Sequence, residues 1–226
     1  MICGRQAMGT LEIDGLTVRI GERVLVENLS VSIPPGEIVT LMGPSGSGKS
    51  TILAHICGTL DRQFEVLGGI RLAGTDLAVL RPEDRKVGIL FQEALLFPHL
   101  NVGENLAFGL PPGISRNERR QRVEAALADA ELDGLADRDP ATLSGGQKAR
   151  AALMRTLLAE PRALLLDEPF SRLDAALRDK IRQFVFDHAR KAGLPTLLVT
   201  HDIEDARSAG GPIVEVEVAG QASQQS

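Results

Sequence analysis

The sequence contains no tryptophan and no tyrosine, and its 7 phenylalanines make up the whole aromatic content of 3%. The hydrophobic core must therefore be mostly aliphatic, and frequent Leu, Val, Ile and Ala residues supply it. The two cysteines, Cys3 and Cys57, form neither a metal-ligand spacing nor a disulfide framework. They indicate reduced thiols in a cytosolic protein.

Long apolar runs and an excess of positive charge are also missing. No run approaches the roughly 18 residues that a membrane helix requires, and the N-terminal end lacks the apolar stretch of a secretory signal. The formal net charge is −5, and no basic stripe is interleaved with aromatic residues, which argues against nucleic acid as a partner. A protein of this kind that acts at a membrane must dock onto another that spans it.

The apolar pattern predicts strands and helices within one well-cored domain of 226 residues. The runs ALLL at 163–166 and TLLV at 196–199 are continuously apolar, which is typical of parallel strands covered on both faces. The predicted strands are 10–16, 24–33, 37–41, 66–72, 87–90, 163–166, 196–199 and 213–218. The predicted helices are 49–57, 117–131 and 172–191, with another beginning after Ser144.

The middle of the chain shows no strand pattern between residues 97 and 145. The order is therefore β/α, then a helical insert, then β/α again. This order predicts an α/β fold with a mixed or parallel sheet core and a helical subdomain inserted at about 94–150. Residues 1–9 and 219–226 are small and polar, which predicts frayed ends.

A glycine-rich loop at residues 43–51 fits the pattern G-x-x-x-x-G-K-[ST]. It follows an apolar strand and opens a helix, so that backbone amides and the positive end of the helix dipole can surround a phosphate. Lys49 would reach the β- and γ-phosphates, and the Ser50 hydroxyl would ligate Mg²⁺. A loop that merely turns is the alternative, which the strand–loop–helix context disfavours. The residues assigned to the nucleotide are Gly43, Pro44, Ser45, Gly46, Ser47, Gly48, Lys49, Ser50 and Thr51.

An acidic pair, Asp167 and Glu168, follows directly after the predicted strand 163–166. In open α/β sheets, ligands bind at the carboxyl ends of strands. Asp167 would hold Mg²⁺, directly or through water, and Glu168 would polarise an attacking water. A solvated turn is the alternative, since acidic residues and proline are common after strands; beside a phosphate loop it becomes minor.

A second anion-binding turn lies at 143–147, where the sequence is LSGGQ and Ser144 is placed to cap a helix. With the other motifs, it makes the chain resemble ATP-binding cassette (ABC) ATPases over essentially its full length. LSGGQ is that family's signature, and it stands between the phosphate loop and the acidic pair, in the family's order. Three further elements fit: Gln92 is similar to the Q-loop glutamine, 171–174 to the D-loop, and His201 to the switch histidine.

The resemblance implies a P-loop NTPase (RecA-like) core with an antiparallel β subdomain and an inserted α-helical subdomain. The whole chain, 1–226, would be one ABC ATPase domain, with the core at about 10–93 and 151–218. ATP and Mg²⁺ would be its cofactors. A second ATPase subunit would be its partner, in a homodimer.

In the family, the signature of one subunit faces the phosphate loop of another, so that ATP is sandwiched between two copies. The catalytic residues so implied are Glu168, His201, Gln92 and Lys49, and the Mg²⁺ ligands are Ser50, Gln92 and Asp167. Nucleotide contacts so implied on the partner-facing side are Ser144, Gly145, Gly146, Gln147 and Asp174.

Adenine recognition departs from the family pattern. Members usually place an aromatic residue in the first hairpin to stack on adenine, and the matching position here is Ile20. Base–aromatic stacking contributes roughly 1–3 kcal/mol per base. The resemblance therefore implies that Ile20 contacts adenine, with a weaker grip and a less strict choice of ATP over GTP.

The segment after Gln92 is apolar, and in the family this region receives the coupling helix of a membrane subunit. LFQEALLFPHL at 90–100, DPATLSGGQKAR at 139–150 and LLLDEPFSRLDAALRD at 164–179 are similar to YnjD-type subunits and to the thiamine, iron(III), sulfate and polyamine importer ATPases. The resemblance implies a bacterial importer subunit at the cytoplasmic face of the inner or plasma membrane. Its partners would be permease subunits and an extracytoplasmic solute-binding protein, and its cargo a small solute such as thiamine.

Two other ABC classes remain alternatives. A soluble ABC ATPase acting on DNA or ribosomes usually has long coiled-coil inserts, two cassettes per chain or basic surfaces, and none of these occurs in the sequence. An ABC exporter subunit is disfavoured, less decisively, by the importer-like segment 94–110.

Overall fold

The computed structural model describes residues 9–216, so Cys3 and the ends predicted to fray, apart from Gly9, lie outside the described range. The strands in this range are β1 (Leu11–Ile20), β2 (Arg23–Ile33), β3 (Ile38–Met42), β4 (Phe64–Leu72), β5 (Thr75–Asp76), β6 (Val87–Leu90), β7 (Ala163–Asp167), β8 (Thr196–Thr200) and β9 (Ile213–Glu215). The α-helices are α1 (Lys49–Cys57), α2 (Val102–Phe108), α3 (Arg116–Asp129), α4 (Gly145–Leu158), α5 (Ala175–Lys191) and α6 (Ile203–Ala209).

A parallel sheet holds β6, β7, β8, β3 and β9 side by side in that order. Its inner strands β7 and β8 are the two continuously apolar runs, and both are covered on both faces. Leu165 and Leu197 pack toward one layer, whereas Leu164 and Leu198 pack toward the other. The predicted parallel core is confirmed, and the carboxyl ends of β3, β6, β7 and β8 meet at one edge.

A second, antiparallel sheet has the order β2-β1-β4-β5. The predicted end of its first strand at residue 16 is wrong, because β1 continues to Ile20. Gly15, with a φ of 57°, lies at a shift of register where the strand bulges and then goes on. β4 begins at Phe64 rather than 66, because Phe64 pairs with Ile20 at the end of the longer β1.

The helices differ from the sequence patterns mainly at their ends. α5 begins at Ala175 rather than 172, because the Asp174 carboxylate accepts a hydrogen bond from the Leu177 amide (3.0 Å) and caps the helix there. The patterns do not predict the short helices α2 and α6. The predicted last strand, 213–218, ends at Glu215, and its final two positions lie outside the described residues.

Three mainly aliphatic clusters form the core, and the second of them also contains Phe170 and Phe186. One joins the antiparallel sheet, α1 and one face of the parallel sheet; the second joins the other face to α4 and α5; the third lies among α2, α3 and α4. α4 contributes Leu153 to the second cluster and Met154 to the third. Because this helix runs through residue 150, the predicted end of the helical insert falls inside it. No helix among residues 9–216 is long and apolar enough to cross a membrane.

Candidate nucleotide site

The phosphate loop, residues 43–48, connects the carboxyl end of β3 to the first turn of α1. Gly46 and Gly48 have φ angles of 82° and 86°, which residues with a side chain rarely adopt. Gly48 also lies against β2, since a Cβ there would be 2.7 Å from Val26 Cγ2. The backbone of the loop therefore requires glycine at residue 48.

Lys49 lies folded over this loop and is only 6% exposed. Its ammonium donates hydrogen bonds to the carbonyl oxygens of Gly43 and Pro44, each at 2.7 Å. Burial lowers the pKa of the ammonium, and the nearby carboxylates of Glu168 and Asp167 oppose that shift. The lysine is thus placed between the loop and the acidic pair.

Asp167 ends β7 and is paired with Val199 of β8. Burial raises the pKa of its carboxyl group, the neighbouring Glu168 raises the pKa further, and Lys49 lowers it. Glu168 has a φ of 46°, unusual for a residue with a side chain, and its amide donates to the Val199 carbonyl (2.9 Å). A backbone state of this kind persists only where the surroundings enforce it, and it is common at functional sites.

Glu168 also meets the histidine predicted from the sequence. His201 directly follows β8, and its Nδ1 lies 3.0 Å from Glu168 Oε1. The histidine side chain is 59% exposed, whereas that of Glu168 is 25% exposed. The structure therefore brings Lys49, the acidic pair and His201 together where β3, β7 and β8 end.

Gln92 approaches the same edge from the other side of β7. It lies two residues after the end of β6 at Leu90, which pairs with Leu166 immediately before Asp167. Gln92 is exposed, as is Ser50 in the first turn of α1. These two side chains and Asp167 offer an amide, a hydroxyl and a carboxylate oxygen.

This donor set fits a hard divalent cation. Two consecutive carboxylates, one of them with a raised pKa, face a single lysine, so the edge has unbalanced negative charge. Within residues 9–216 no three His, Cys, Asp or Glu side chains cluster as a self-contained metal site. Such a set suits Mg²⁺, which typically binds one or two carboxylates together with waters and substrate phosphates.

The LSGGQ turn lies on a different part of the molecule, at the start of α4. Ser144 caps α4 in a capping box with Gln147, and Ser144 and Gly145 are exposed. Gly146 is buried against α5, where a Cβ would be 2.8 Å from Leu177 Cδ2. No hydrogen bond or ion pair between described residues joins this turn to the phosphate loop. Asp174, the cap of α5, is likewise exposed.

Ile20 lies at the end of β1, half-buried, with Arg23 opposite it in β2 and Phe64 opposite it in β4. The phosphate loop touches this sheet through Val26 of β2. The structure therefore places Ile20 in the sheet that borders the loop, beside a phenylalanine of the neighbouring strand.

Sequence reasoning missed a buried ionic network behind His201. Arg182 and Asp205 are 5% and 3% exposed, and the arginine Nε donates to the Asp205 carboxylate (2.6 Å). The other carboxylate oxygen of Asp205 accepts from the Thr200 hydroxyl (2.8 Å). One sequence feature could have predicted this network, namely the pair Arg178 and Arg182. The two arginines are four residues apart on a helix whose other inward-facing positions are apolar.

Comparison with known proteins decides the family. The sequence profile described as "ABC transporter" matches residues 26–171, which include the phosphate loop, the signature and the acidic pair. The chain belongs to the ABC transporter family. It is an ATP-binding cassette with ATPase activity, and the resemblance drawn from its motifs is confirmed.

Among curated proteins, the cassette is 49% identical over 193 residues to the uncharacterized ABC transporter ATP-binding protein YnjD of Escherichia coli K12, covering 85% of this chain and 89% of YnjD. It is 41% identical to the Fe(3+) ions import ATP-binding protein FbpC of Escherichia coli O157:H7, covering 87% of this chain and 56% of FbpC. It is 41% identical to the sulfate/thiosulfate import ATP-binding protein CysA of Escherichia coli K12, covering 91% of this chain and 57% of CysA. The chain thus spans nearly all of YnjD but little more than half of the two import proteins.

Among solved structures, the cassette matches the dimeric post-hydrolysis state of the ATP-binding cassette MJ0796 bound to ADP and Pi. The TM-score is 0.74 at 33% identity, and the match covers 92% of this chain and 96% of that one. The predicted ABC ATPase fold is therefore confirmed.

Proposed function

We propose that the cassette hydrolyses MgATP at the carboxyl edge of its parallel sheet, and that this hydrolysis drives import of a small solute through membrane permease subunits. The observation that carries the catalytic part is the convergence of Lys49, Asp167, Glu168 and His201 at that edge, with Glu168 and His201 in hydrogen-bond contact at 3.0 Å. The import part is supported by the relatives, FbpC and CysA, whose names describe import.

Phosphate binding falls to the loop 43–51 and to Lys49. In the structure the ammonium donates to the Gly43 and Pro44 carbonyls, and it exchanges these for the β- and γ-phosphate oxygens of the nucleotide. The neighbouring amides at the start of α1 donate to the phosphates from the opposite side. Because Lys49 is already desolvated, its charge acts strongly on a phosphate placed beside it.

The metal ligands are Ser50, Asp167 and Gln92. Bound Mg²⁺ supplies charge neutralisation of the phosphates. The Asp167 carboxyl, whose pKa is raised by burial and then by Glu168, would gain a compensating positive charge there.

Glu168 and His201 carry the hydrolytic step. Glu168 orients and polarises the attacking water, and its backbone bond to Val199 and its contact with His201 fix the direction of the carboxylate. His201, the more exposed of the two, donates to the phosphate whose charge grows as the bond breaks. The rate gain comes from positioning and charge stabilisation rather than from covalent chemistry.

A second copy of the chain completes the site. Ser144 and Gly145 are exposed at the positive end of α4 and have no contact with the phosphate loop of the same chain. They are the donors that the partner copy offers to the nucleotide, together with Gly146, Gln147 and Asp174. The solved dimer of the related cassette MJ0796 supports this arrangement.

The adenine base of the nucleotide binds against the antiparallel sheet. Ile20 occupies the position from which an aromatic residue would stack on adenine, and it provides only aliphatic contact. The cassette therefore binds ATP with a weaker grip on the base and accepts GTP more readily than a relative with an aromatic residue there.

The permease docks in a groove of about 420 Å³ between β6 and the helical segment, lined by Val87, Gly88, Phe97, Phe108, Arg155 and Thr156 among others. We call it the docking groove. Phe108 is 65% exposed and packs against Phe97 in a tilted arrangement, with the ring centroids 4.6 Å apart. The Arg155 guanidinium lies 5.1 Å from the Phe97 ring and pairs with no acidic side chain of residues 9–216. An apolar helix end bearing a carboxylate suits this groove.

In the assembled importer the cassette sits at the cytoplasmic face of the membrane, held there by permease subunits. An extracytoplasmic solute-binding protein delivers the cargo, for which thiamine is one candidate besides the ions named for FbpC and CysA. Ligand screening of the binding protein encoded beside this chain tests the cargo. Stabilisation by thiamine supports that candidate, and stabilisation by iron(III) or sulfate instead rejects it.

Purification of the tagged chain from membranes tests the import function. The parent chain should retain a multispanning permease, and Phe108→Glu should lose it while still binding ATP. Leu67→Glu is the matched control, because Leu67 is 61% exposed and lies on β4, away from the docking groove. Retention of ribosomes or DNA in place of a permease would overturn the proposal.

A further inference from the structure

We propose that Arg178 is a positioning residue for hydrolysis, which ties the turn carrying His201 to the loop 171–174 in front of α5. The proposal rests on the hydrolytic role of Glu168 and His201 given above. One guanidinium makes both ties: Nη1 lies 3.2 Å from Asp202 Oδ2, and Nη2 donates to the Leu173 carbonyl (3.0 Å).

The turn that carries His201 is held on both sides. Thr200, before the histidine, is buried, and its hydroxyl donates to Asp205 (2.8 Å) and accepts from the Asp202 amide (3.0 Å). Asp202, after the histidine, pairs with Arg178 at 3.2 Å and with Arg182 at 3.3 Å through the same carboxylate oxygen. The histidine ring itself is 59% exposed and touches only Glu168 among these groups. Its placement therefore depends on its two neighbours in the chain.

A purely stabilising role explains this network poorly. Desolvating the buried pair Arg182 and Asp205 costs about as much as their attraction returns in many proteins, so buried ion pairs are weak evidence for stability. The buried Nε of Arg178 has no hydrogen-bond partner, which adds to that cost. Retaining such groups is better explained by what they hold in place.

The loop 171–174 connects the other parts of the site. The Ser171 hydroxyl donates to the Glu168 carbonyl (2.8 Å). At the other end of the loop, the methyl group of Leu173 lies 3.5 Å from where a Cβ of Gly145 would be, in the LSGGQ turn. Contacts of this one loop therefore reach Glu168 through Ser171, the LSGGQ turn through Leu173, and the His201 turn through Leu173, Arg178 and Asp202.

Steady-state kinetics of Arg178→Gln in the full chain tests the positioning role. We expect kcat to fall about tenfold or more, because small displacements of catalytic groups are costly, while KM and the Kd for ATP change less than about twofold. Arg178→Lys, which keeps one tie, should restore part of kcat. Arg207→Gln is the matched control: it breaks the exposed pair with Glu204 in α6 and should leave kcat unchanged.

The His201→Ala background separates positioning from general damage. If Arg178 acts through His201, adding Arg178→Gln lowers the residual rate less than about twofold, since coupled residues are not additive. The proposal would be overturned if Arg178→Gln lowered the rate by the same factor in the His201→Ala background as in the parent chain. It would also be overturned if the single variant kept its kcat, if its Kd for ATP rose, or if Arg207→Gln lost as much kcat. If Arg178→Gln does not fold, Asp202→Asn weakens the tie to Arg178 from the other end, together with the pair to Arg182.

An NMR measurement decides the proposal without hydrolysis. The chain has 4 histidines, and the imidazole signal of His201 is assigned by its absence in His201→Ala. In Arg178→Gln that signal should move or broaden while those of His99 and His188 stay. An unmoved His201 signal contradicts the positioning role. Lack of ATP hydrolysis by the parent chain would contradict the proposed function instead, and the two failures are thereby distinguished.

Discussion

Several residues at the nucleotide edge occupy states that are unfavourable in isolation. Lys49 is desolvated, Asp167 has a raised pKa through burial and the neighbouring Glu168, and Glu168 has a φ of 46°. Each state costs folding free energy, and in the proposed function the binding of phosphate and a cation would offset that cost. The concentration of such costs at one edge identifies it as the working part of the molecule.

Asp167→Asn should raise the melting temperature of the nucleotide-free cassette at pH 7 and abolish MgATP hydrolysis. Since the pKa of Asp167 is raised in the folded state, its ionisation at neutral pH disfavours folding, and asparagine removes that cost. The gain should shrink as the pH falls toward the raised pKa, where the parent aspartate is protonated. The exposed Asp133→Asn is the control for thermal unfolding scans. A lower melting temperature in Asp167→Asn would contradict this reasoning.

Ile20→Tyr should tighten ATP binding. A stacked aromatic ring contributes roughly 1–3 kcal/mol, equivalent to a fall in Kd of roughly 5- to 150-fold, and the preference for ATP over GTP should change as well. Titration calorimetry with both nucleotides measures it. Unchanged affinity together with an unchanged ATP/GTP ratio would show that Ile20 does not face the base.

Single residues were predictable wherever a local motif encodes the chemistry. The phosphate loop, Asp167 and Glu168 follow from strand–loop–helix order and from the rule that ligands bind where strands end. Arg178 and Arg182 were not predictable, because their partners, Asp202 and Asp205, lie at least twenty residues away and meet them only in the folded chain. A charge on a helix is usually solvated, and only tertiary packing reveals the exception.

Among the elements, α2 has a capping signal in its sequence that the apolar pattern alone does not show. Its seven residues are too short for a clear apolar period, but the capping box of Asn101 and Glu104 marks its start. The helix is fixed by Asn105, which is fully buried. Its amide nitrogen donates to the carbonyls of Phe97, Leu100 and Asn101, and its amide oxygen accepts from the Phe97 amide.

Asn105→Ala should lower the free energy of unfolding by about 2–3 kcal/mol, because it leaves buried backbone groups without partners. Phe97 belongs to the docking groove, so permease retention should fall as well. Denaturant titration and membrane purification measure the two effects. Asn117→Ala, an exposed change in α3, should alter stability by no more than about 0.5 kcal/mol. Equal stability of the two variants would argue against the bracing role of Asn105.

The strands show why the parallel sheet was easier to predict than the antiparallel one. β7 and β8 are buried on both faces, so composition alone predicts them. β1 bends at Gly15 and resumes with a shifted register. No local sequence pattern predicts that a strand continues through a bulge. The length of β1 is evident only from its pairing with β4, which extends to Phe64.

At the scale of the whole molecule, the proposed function assigns the phosphate loop and the LSGGQ turn of one chain to different nucleotides. The phosphate loop meets the acidic pair and His201 within one chain, whereas the LSGGQ turn is exposed at the start of α4. In the proposed mechanism, a monomer therefore contains a nucleotide cradle without its final donors. Closing two copies would supply these donors and exclude water, and the docking grooves would transmit the resulting change in shape to the permease.

Sedimentation of Glu168→Gln with MgATP tests the composite site most directly. Without a residue to activate water, bound ATP persists, so the composite site predicts a stable dimer with two ATP molecules, and monomers with ADP. Adding Ser144→Arg to this variant should leave ATP binding intact but prevent the dimer. Normal turnover by Glu168→Gln, ATP-loaded monomers, or equal dimerisation of the double variant would contradict a site shared between two copies.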